Sequence, residues 1–326
     1  MFTSRRSIVL GLAAAAALFP AVQASAQTYP NKSITMVVPF AAGGSTDLVA
    51  RILAQKLSEQ MGVSVVVENR AGAGGNLGAA AVAKASPDGY TVLYGTISTH
   101  TLNPLMAKKS AYDPVKDFEP VALVGSIPNV MVVHPSVPAK NVAELIAAAK
   151  AEPAKYSYAS SGIATPLHLS GEMFNKMAGT QMAHVPYRGA GPAMNDLVGG
   201  QVPVMFDNLP TSVEQIKAGK IRALGVTTKE RVKQMPDIPT LDEQGLKGYE
   251  TYSWQAVFAP AKTPKPVVDK LNAEILKALK DPGLLTRLDE LTMTVTPSSP
   301  EKLGAFVAEQ LATWAPITKA TGVQLD

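Results

Sequence analysis

The stretch SITMVVPFAAGGSTDLVARILAQKL (33–57) has the pattern of an apolar strand, a loop of small residues and an amphipathic helix. Gly43 and Gly44 remove side chains from the loop, so a ligand can approach the main chain. A residue within Ser45–Asp47 is expected to cap the helix. The free backbone N–H groups and the positive end of the helix dipole favour an anion at this loop. An ordinary capped turn is the alternative interpretation.

A second stretch, KYSYASSGIATPLHLSGEMFNKM (155–177), repeats this arrangement. Thr165 is a good N-cap, and Pro166 suits the first helical position. His168 lies in the first turn, where it either packs or caps, although a neutral imidazole there could also donate to a carboxylate. Two such helix starts predict a ligand carboxylate held by neutral amides and hydroxyls, which avoids burying a fixed cation in an empty site.

Short β-branched runs alternate with helical patterns along the chain, which is typical of α/β architecture with parallel strands. Two segments, Val121–Ser136 and Tyr249–Pro264, run from one strand pattern into another and are predicted to cross between domains. The predicted first domain is discontinuous, residues 27–125 with 254–326, and the second is residues 126–253. This layout predicts a ligand cleft between two hinged domains.

The first 26 residues have a basic start, an apolar run and an Ala24-Ser25-Ala26 cleavage motif, which together predict a secretory signal peptide. Either the general or the twin-arginine route would fit. The chain has no cysteine, which suits an exported protein that relies on its core rather than on disulfides. Basic residues are scattered rather than clustered, so nucleic acid is not an expected partner. The predicted location is the periplasm.

Motifs for catalysis or cofactors are sparse. The four histidines fall in separate segments without metal-ligand spacing, and no G-x-S-x-G elbow is present. The glycine cluster Arg70–Gly78 departs from the dinucleotide fingerprint because Leu77 occupies a glycine position. We therefore expect a strand-to-helix turn there, no cofactor, no metal, and no enzymatic activity, since no nucleophile–base pair can be nominated.

Three further residues allow two interpretations each. Asp207, which precedes Asn208 at the end of a predicted strand, is either a cleft residue or part of a turn. Trp254 either lines the cleft or packs the hinge. Arg188 is expected to form an ion pair rather than to clamp a ligand.

Several segments resemble the Bug family, the extracytoplasmic receptors of tripartite tricarboxylate transporters. They are YPNKSITMVVPFAAGGSTDLVARILA, VVVENRAGAGGNLGAAAVAKASPDGYT, HVPYRGAGPAMNDLVGGQV and APAKTPKPVVDKLNAEI. The resemblance covers essentially the whole mature chain, with Ala71 where the family usually has proline. It implies an α/β periplasmic binding protein of type II, with two α/β domains joined by two crossover strands.

The resemblance also implies which residues hold the ligand. In the first domain these are Phe40, Ala42, Gly43, Gly44, Ser45 and Asp47. In the second domain they are Ser160, Ser161, Gly162, Thr165, His168 and Asp207. Ser98 and Thr99 are further candidates, for the variable end of the pocket.

The function implied by the resemblance is a monomeric periplasmic receptor that captures a small carboxylate and delivers it to the large and small membrane subunits of a tripartite transporter. Family ligands include di- and tricarboxylates, acidic amino acids and aromatic acids. A sensory binding module that feeds a two-component system is the alternative. An exported hydrolase is a third hypothesis, which would need detectable turnover of a bound ligand.

Overall fold

The computed structural model describes residues 29–322 and Leu325. The predicted signal peptide lies outside these residues. Ten strands form one continuous mixed sheet, in the order β2-β1-β3-β9-β4-β7-β5-β6, with β8 and β10 both paired to β4. The strands are β1 (Ile34–Val38), β2 (Val65–Asn69), β3 (Thr91–Thr96), β4 (Phe118–Val133), β5 (Ser157–Ser160), β6 (Ala183–Pro186), β7 (Val204–Asn208), β8 (Arg222–Val226), β9 (Tyr252–Pro260) and β10 (Thr294–Val295).

Ten α-helices cover the sheet in the described part of the chain. They are α1 (Ser45–Met61), α2 (Asn76–Ala83), α3 (Asn103–Met106), α4 (Val142–Ala151), α5 (Pro166–Ala178), α6 (Ala190–Val198), α7 (Leu209–Lys217), α8 (Lys265–Ala278), α9 (Pro282–Glu290) and α10 (Pro300–Thr321). Short 3₁₀ turns lie at Ala73–Gly75 and Pro153–Lys155, and a π-helical turn spans Ser98–Leu102.

Strand β4 belongs to both halves of the sheet. Its residues 118–128 pair antiparallel with β9, and its residues 129–133 pair antiparallel with β7. Strand β9 is the second strand that crosses between the halves, and it pairs with β3 on the edge opposite to β4. The two strands thus run side by side through the middle of the sheet, which is how two α/β lobes remain connected by a short hinge.

The buried apolar residues follow the same division, except that Ala164 and Leu169 of the second half pack in a cluster of the first. One pair of clusters is built around β1, β3 and β9 and includes Leu53, Leu271 and Trp254. A second pair surrounds β5 and β7 and includes Phe174 and Phe206. The α/β architecture predicted from the sequence is confirmed, but the sheet is mixed rather than parallel, because β4 and β9 pair antiparallel with their neighbours.

Two residues differ from what the local sequence pattern predicts, which is Thr263 at the start of the helix after β9 and Met177 on the core face of α5. The N-cap position of the helix after β9 is Pro264, which makes no side-chain cap hydrogen bond, and the Thr263 hydroxyl donates to the carbonyl of Pro260. Met177 is not part of the core face of α5: it is 38% exposed, and Phe174 occupies the core instead. The first turn of α5 is buried as well, at Leu167 and Leu169.

Candidate functional site

A small cavity lies where the two halves of the sheet meet, with a volume of about 30 Å³. Residues from the first half, from the crossing strand β9 and from the second half all contribute to its wall. The lining residues are Phe40, Gly44, Ser45, Thr46, Thr96, Ile97, Ser98, Ser161, Pro166, Leu167, Ala190, Asn208, Ser253 and Gln255. The cavity has room for only a few ordered waters, so a larger ligand requires the walls to separate.

Four helices begin at this cavity. The first residues of α1, α5 and α6 line it, and Asn208, the N-cap of α7, does so as well. The N-cap of α1 is Gly44, and no side chain caps that helix start. The first N–H groups of α1 are therefore bare backbone donors beside the cavity, at the positive end of a 17-residue helix.

No lining side chain is charged. The polar lining consists of hydroxyls and side-chain amides. Two buried polar atoms in the wall have no hydrogen-bond partner, the Thr96 hydroxyl oxygen and Gln255 Nε2. Such unpaired buried groups are uncommon in folded proteins and indicate a place where another molecule can bind.

Loops from the two halves contact each other around the cavity. Asn208 Nδ2 donates to the hydroxyl oxygen of Ser45 at 2.5 Å, and the N–H of Ala41 donates to the carbonyl of Arg188 at 3.3 Å. The approach at Gly74 is even closer: an added Cβ would lie 2.1 Å from the carbonyl oxygen of Ile163. The cavity is therefore enclosed by direct contact between the halves.

The structure places some of the predicted ligand residues on the wall of this cavity and others away from it. Those on the cavity are Phe40, Gly44, Ser45, Ser98 and Ser161. Those not on its wall are Ala42, Gly43, Asp47, Ser160, Gly162, Thr165, His168 and Asp207. Thr99, the further candidate, is buried and donates to the carbonyl of Thr96.

Asp47 holds the first loop together. Its carboxylate accepts hydrogen bonds from the N–H of Gly43 at 3.0 Å, from Asn69 Nδ2 at 2.8 Å and from Arg51 Nε at 3.0 Å. Burial acts to raise the pKa of Asp47, but these hydrogen bonds outweigh it and hold the pKa below its usual range. Asp47 thus fixes the loop that presents Gly44 and Ser45.

The second loop is held from behind by Ser160 and Thr165. Both hydroxyls donate to the carbonyl of Gly162, and Thr165 also caps α5 by accepting from the N–H of His168. The Ser160 hydroxyl lies 2.7 Å from His184 Nε2, a Ser–His pair that sequence analysis did not anticipate. Ser160 is completely buried and does not line the cavity, so this pair supports the loop.

His168 packs face to face on His184, with ring centroids 3.9 Å apart. The N–H of Ala164 donates to His168 Nδ1 at 3.2 Å, which requires that nitrogen to be unprotonated. Burial lowers the pKa of His168 to about 4 and, with the nearby His168, that of His184 to about 3. Both rings are therefore neutral at physiological pH.

Asp207 is directed away from the cavity. One carboxylate oxygen accepts from the hydroxyls of Thr211 and Ser212, and burial raises its pKa to about 6. Its neighbour Asn208 lines the cavity instead, because successive residues of a strand point to opposite faces. The same alternation buries Trp254 in the core and places Ser253 and Gln255 on the cavity.

Arg188 contacts the first half of the protein through its main chain: its carbonyl accepts the hydrogen bond from the N–H of Ala41.

The lining residues that sequence analysis missed come mainly from strand ends and helix starts: Thr46, Thr96, Ile97, Pro166, Leu167, Ala190, Asn208, Ser253 and Gln255. Thr46 and Pro166 were visible as helix starts in the two loop motifs. Thr96 and Gln255 had no local signal, because they become neighbours only through the pairing of β3 with β9.

Residues 49–323 match the sequence model of the tripartite tricarboxylate transporter family receptor, TctC. The match covers most of the chain, which therefore belongs to this family of transporter receptors, as the resemblance predicted. No helix within the described residues has the length and apolar character needed to cross a bilayer. Within the same residues, no group of three or more His, Cys, Asp or Glu side chains is placed to hold a metal ion.

Three solved structures show the same fold. The periplasmic binding protein BugD is 42% identical, with a TM-score of 0.88 over 91% of this chain and 99% of that one. Rpa4515 of R. palustris, solved with adipate, is 39% identical, with a TM-score of 0.88 and the same coverage. MatC of Rhodopseudomonas palustris, solved with bound malate, is 35% identical, with a TM-score of 0.85 over 89% of this chain and 100% of that one. The fold is thus that of a type II periplasmic binding protein.

Proposed function

We propose that this protein is a periplasmic receptor that captures a small carboxylate in the cavity between its two domains. The observation that carries the proposal is the convergence of four helix N-termini on a cavity whose lining has no charged side chain. Backbone N–H groups and helix dipoles at such a place stabilise an anion without a counter-charge.

A neutral donor set suits a receptor that must also exist empty. A buried lysine or arginine would be strongly destabilised in the absence of ligand, whereas hydroxyls and backbone amides are less costly to desolvate. The family relatives solved with adipate and with malate hold acids of this class. These two observations support a carboxylate of a few carbons as the ligand.

We further propose that residues 27–125 with 254–326 form one domain and residues 126–253 the other. The division of the buried clusters and the passage of β4 and β9 through the sheet support these boundaries. Contacts such as Ser45 to Asn208 enclose the cavity, so a ligand would enter when the domains separate and be held when they close.

The family assignment supports delivery of the captured acid to the large and small membrane subunits of a tripartite transporter. The amino-terminal segment supports export through a cleavable signal peptide into the periplasm. We propose that the receptor acts as a monomer, that it needs no cofactor, and that it releases its ligand unchanged rather than converting it.

The proposal is tested by thermal unfolding of mature protein from which any co-purified ligand has been removed by partial unfolding and refolding. A panel of mono-, di- and tricarboxylates and amino acids is added, with the matching uncharged amides as controls. A ligand that binds only the folded state adds about 2.7 kcal/mol at a hundredfold excess over its Kd. At least one acid should raise Tm while its amide does not. No shift with any acid, in protein shown to be folded, would contradict the proposal.

A further inference from the structure

Thr96 and Gln255 form a buried polar pair in the cavity wall. They are directly opposite each other in the antiparallel pairing of β3 with β9, so their side chains are neighbours on one face of the sheet. Thr96 is 4% exposed and Gln255 is completely buried. The hydroxyl oxygen of Thr96 and Nε2 of Gln255 are both without a hydrogen-bond partner.

The orientation of the Gln255 amide is set by Tyr94, which lies two residues before Thr96 on the same face of β3. The Tyr94 hydroxyl donates to Gln255 Oε1 at 2.8 Å. Tyr94 is completely buried, and burial raises its pKa, so it remains a neutral donor. With Oε1 engaged in this way, the N–H groups of Nε2 remain for a partner in the cavity.

A buried donor without a partner is destabilising because it has lost its hydrogen bonds to water. A ligand oxygen placed between Nε2 of Gln255 and the Thr96 hydroxyl would satisfy both groups. We propose that Thr96 and Gln255 form a specificity subsite for a second acceptor group of the ligand, such as another carboxylate or a carbonyl. This inference rests on the proposed function, since the first carboxylate is held at the helix N-termini.

The same wall disfavours an ammonium group. Gln255 Oε1 already accepts from Tyr94, and Asn208 Oδ1 already accepts from the Ser253 hydroxyl. No carboxylate side chain lines the cavity. An ammonium would therefore lose its hydration without gaining an ionised acceptor, which is costly in a buried site. The ligand class that follows is a dicarboxylate or an oxo-carboxylate rather than an amino acid.

The probes are matched acids of four, five and six carbons that differ only at the far end. Each length is represented by the α,ω-dicarboxylate, the unbranched monocarboxylate and the ω-amino acid. Titration calorimetry on stripped protein should rank the dicarboxylate first and the ω-amino acid last at the length that binds best. We expect the dicarboxylate to bind with an affinity at least tenfold higher than that of the monocarboxylate.

Gln255→Glu reverses the character of the subsite. This substitution should lower the affinity for the dicarboxylate by at least a hundredfold, so that the ω-amino acid binds more tightly than the dicarboxylate. Gln201→Glu, at an exposed position in the turn before β7, is the matched control and should keep the wild-type ranking. Thr96→Val removes the hydroxyl at nearly constant side-chain shape and should lower the ratio of dicarboxylate to monocarboxylate affinity about tenfold. This variant tests the subsite independently if Gln255→Glu does not fold.

Tyr94 is a positioning residue, so its test is selectivity rather than affinity alone. Tyr94→Phe frees the Gln255 amide to rotate and should lower the dicarboxylate preference several-fold while monocarboxylate affinity stays within twofold. Tyr249→Phe removes another buried tyrosine hydroxyl, one bonded to the carbonyl of Ser170, and should leave the preference unchanged. Preferences within threefold of wild type in folded Gln255→Glu and Thr96→Val would overturn the inference. Loss of binding to every acid in the wild type would instead contradict the proposed function.

Discussion

Asn208 and Ser45 are joined by a hydrogen bond across the cavity, although 163 residues separate them along the chain. The amide nitrogen of Asn208, at the end of β7, donates to the hydroxyl of Ser45, the first residue of α1. Asn208 also accepts from Ser253, on the crossing strand. One side chain therefore links both halves of the sheet and the hinge at the place where we propose that the ligand binds.

Replacing Asn208 by Asp keeps the size of the side chain but puts a negative charge in the cavity wall. Two like charges 4 Å apart repel by about 4 kcal/mol at an effective dielectric constant of 20. We expect carboxylate affinity to fall by at least a hundredfold in titration calorimetry. Asn195→Asp, at an exposed position in α6, is the matched control and should bind like wild type. Unchanged affinity in the Asn208 variant would mean that no anion lies near this wall.

Gly74 tests the role of closure. It has a φ of +62°, and an added Cβ would meet the carbonyl of Ile163 at 2.1 Å, so alanine there holds the two halves apart. Gly74→Ala should weaken binding at least tenfold and increase the radius of gyration of the liganded protein in small-angle X-ray scattering. Gly219→Ala, at a φ of +67° with open space around it, carries the same type of backbone strain and should affect stability only. Equal affinity in the two variants would argue against closure.

Asp47 is expected to act on stability through the first loop. Asp47→Asn replaces an acceptor of three hydrogen bonds by an amide whose NH₂ group faces donors, which should lower the free energy of unfolding by about 1–3 kcal/mol. Urea unfolding measures the loss. Asp269→Asn breaks an exposed ion pair with Lys265 and should reduce stability much less, because solvent screens exposed charges. A similar small loss in both variants would show that the Asp47 network contributes little.

The histidine pair predicts a loss of stability in mild acid. The unfolded chain protonates histidine near pH 6.5, whereas the folded pKa values of His168 and His184 are about 4 and about 3. Between these limits the unfolded state binds more protons at the two histidines, so their contribution to stability is fully present above pH 6.5 and falls as pH decreases towards 4, whereas the raised pKa of Asp207 acts in the opposite direction below about pH 6. Each histidine contributes about 1.4 kcal/mol per pH unit in that window.

Urea unfolding between pH 7 and pH 4.5 checks this slope. His168→Gln should reduce the dependence of the unfolding free energy on pH by the contribution of one histidine. If the unfolding free energy of the wild type depends on pH no more steeply than that of the His168 variant, the neutral, stacked pair of His168 and His184 is contradicted.

Much of the fold could be predicted because its signals are local. The β-branched run of β1, the small-residue loop and the amphipathic face of α1 lie next to one another in the chain, and Thr165 with Pro166 marks the start of α5. These features require only short-range backbone and capping preferences. The same is true of the two crossing segments, whose apolar runs are long and continuous.

The cavity wall was harder to predict because its polar residues are brought together by strand pairing over long distances. Thr96 meets Gln255 only when β3 pairs with β9, and which of two adjacent strand residues faces the cavity depends on register. Asp207, the predicted residue, and Asn208, which lines the cavity, are adjacent in the same strand, so their side chains point to opposite faces. Residues such as Asp47 and Ser160 carried a polar signal but support the loops from behind.

We propose that neutral donors at helix N-termini hold a carboxylate in this cavity. Titration calorimetry of stripped wild-type protein tests this, with the best-binding acid and with the amide of that acid, at several salt concentrations. We expect one acid bound per chain, at least a hundredfold higher affinity for the acid than for the amide, and only modest weakening of binding by salt, because the cavity lies between the two halves of the protein. Equal affinity for acid and amide, or no binding of any acid, would contradict it.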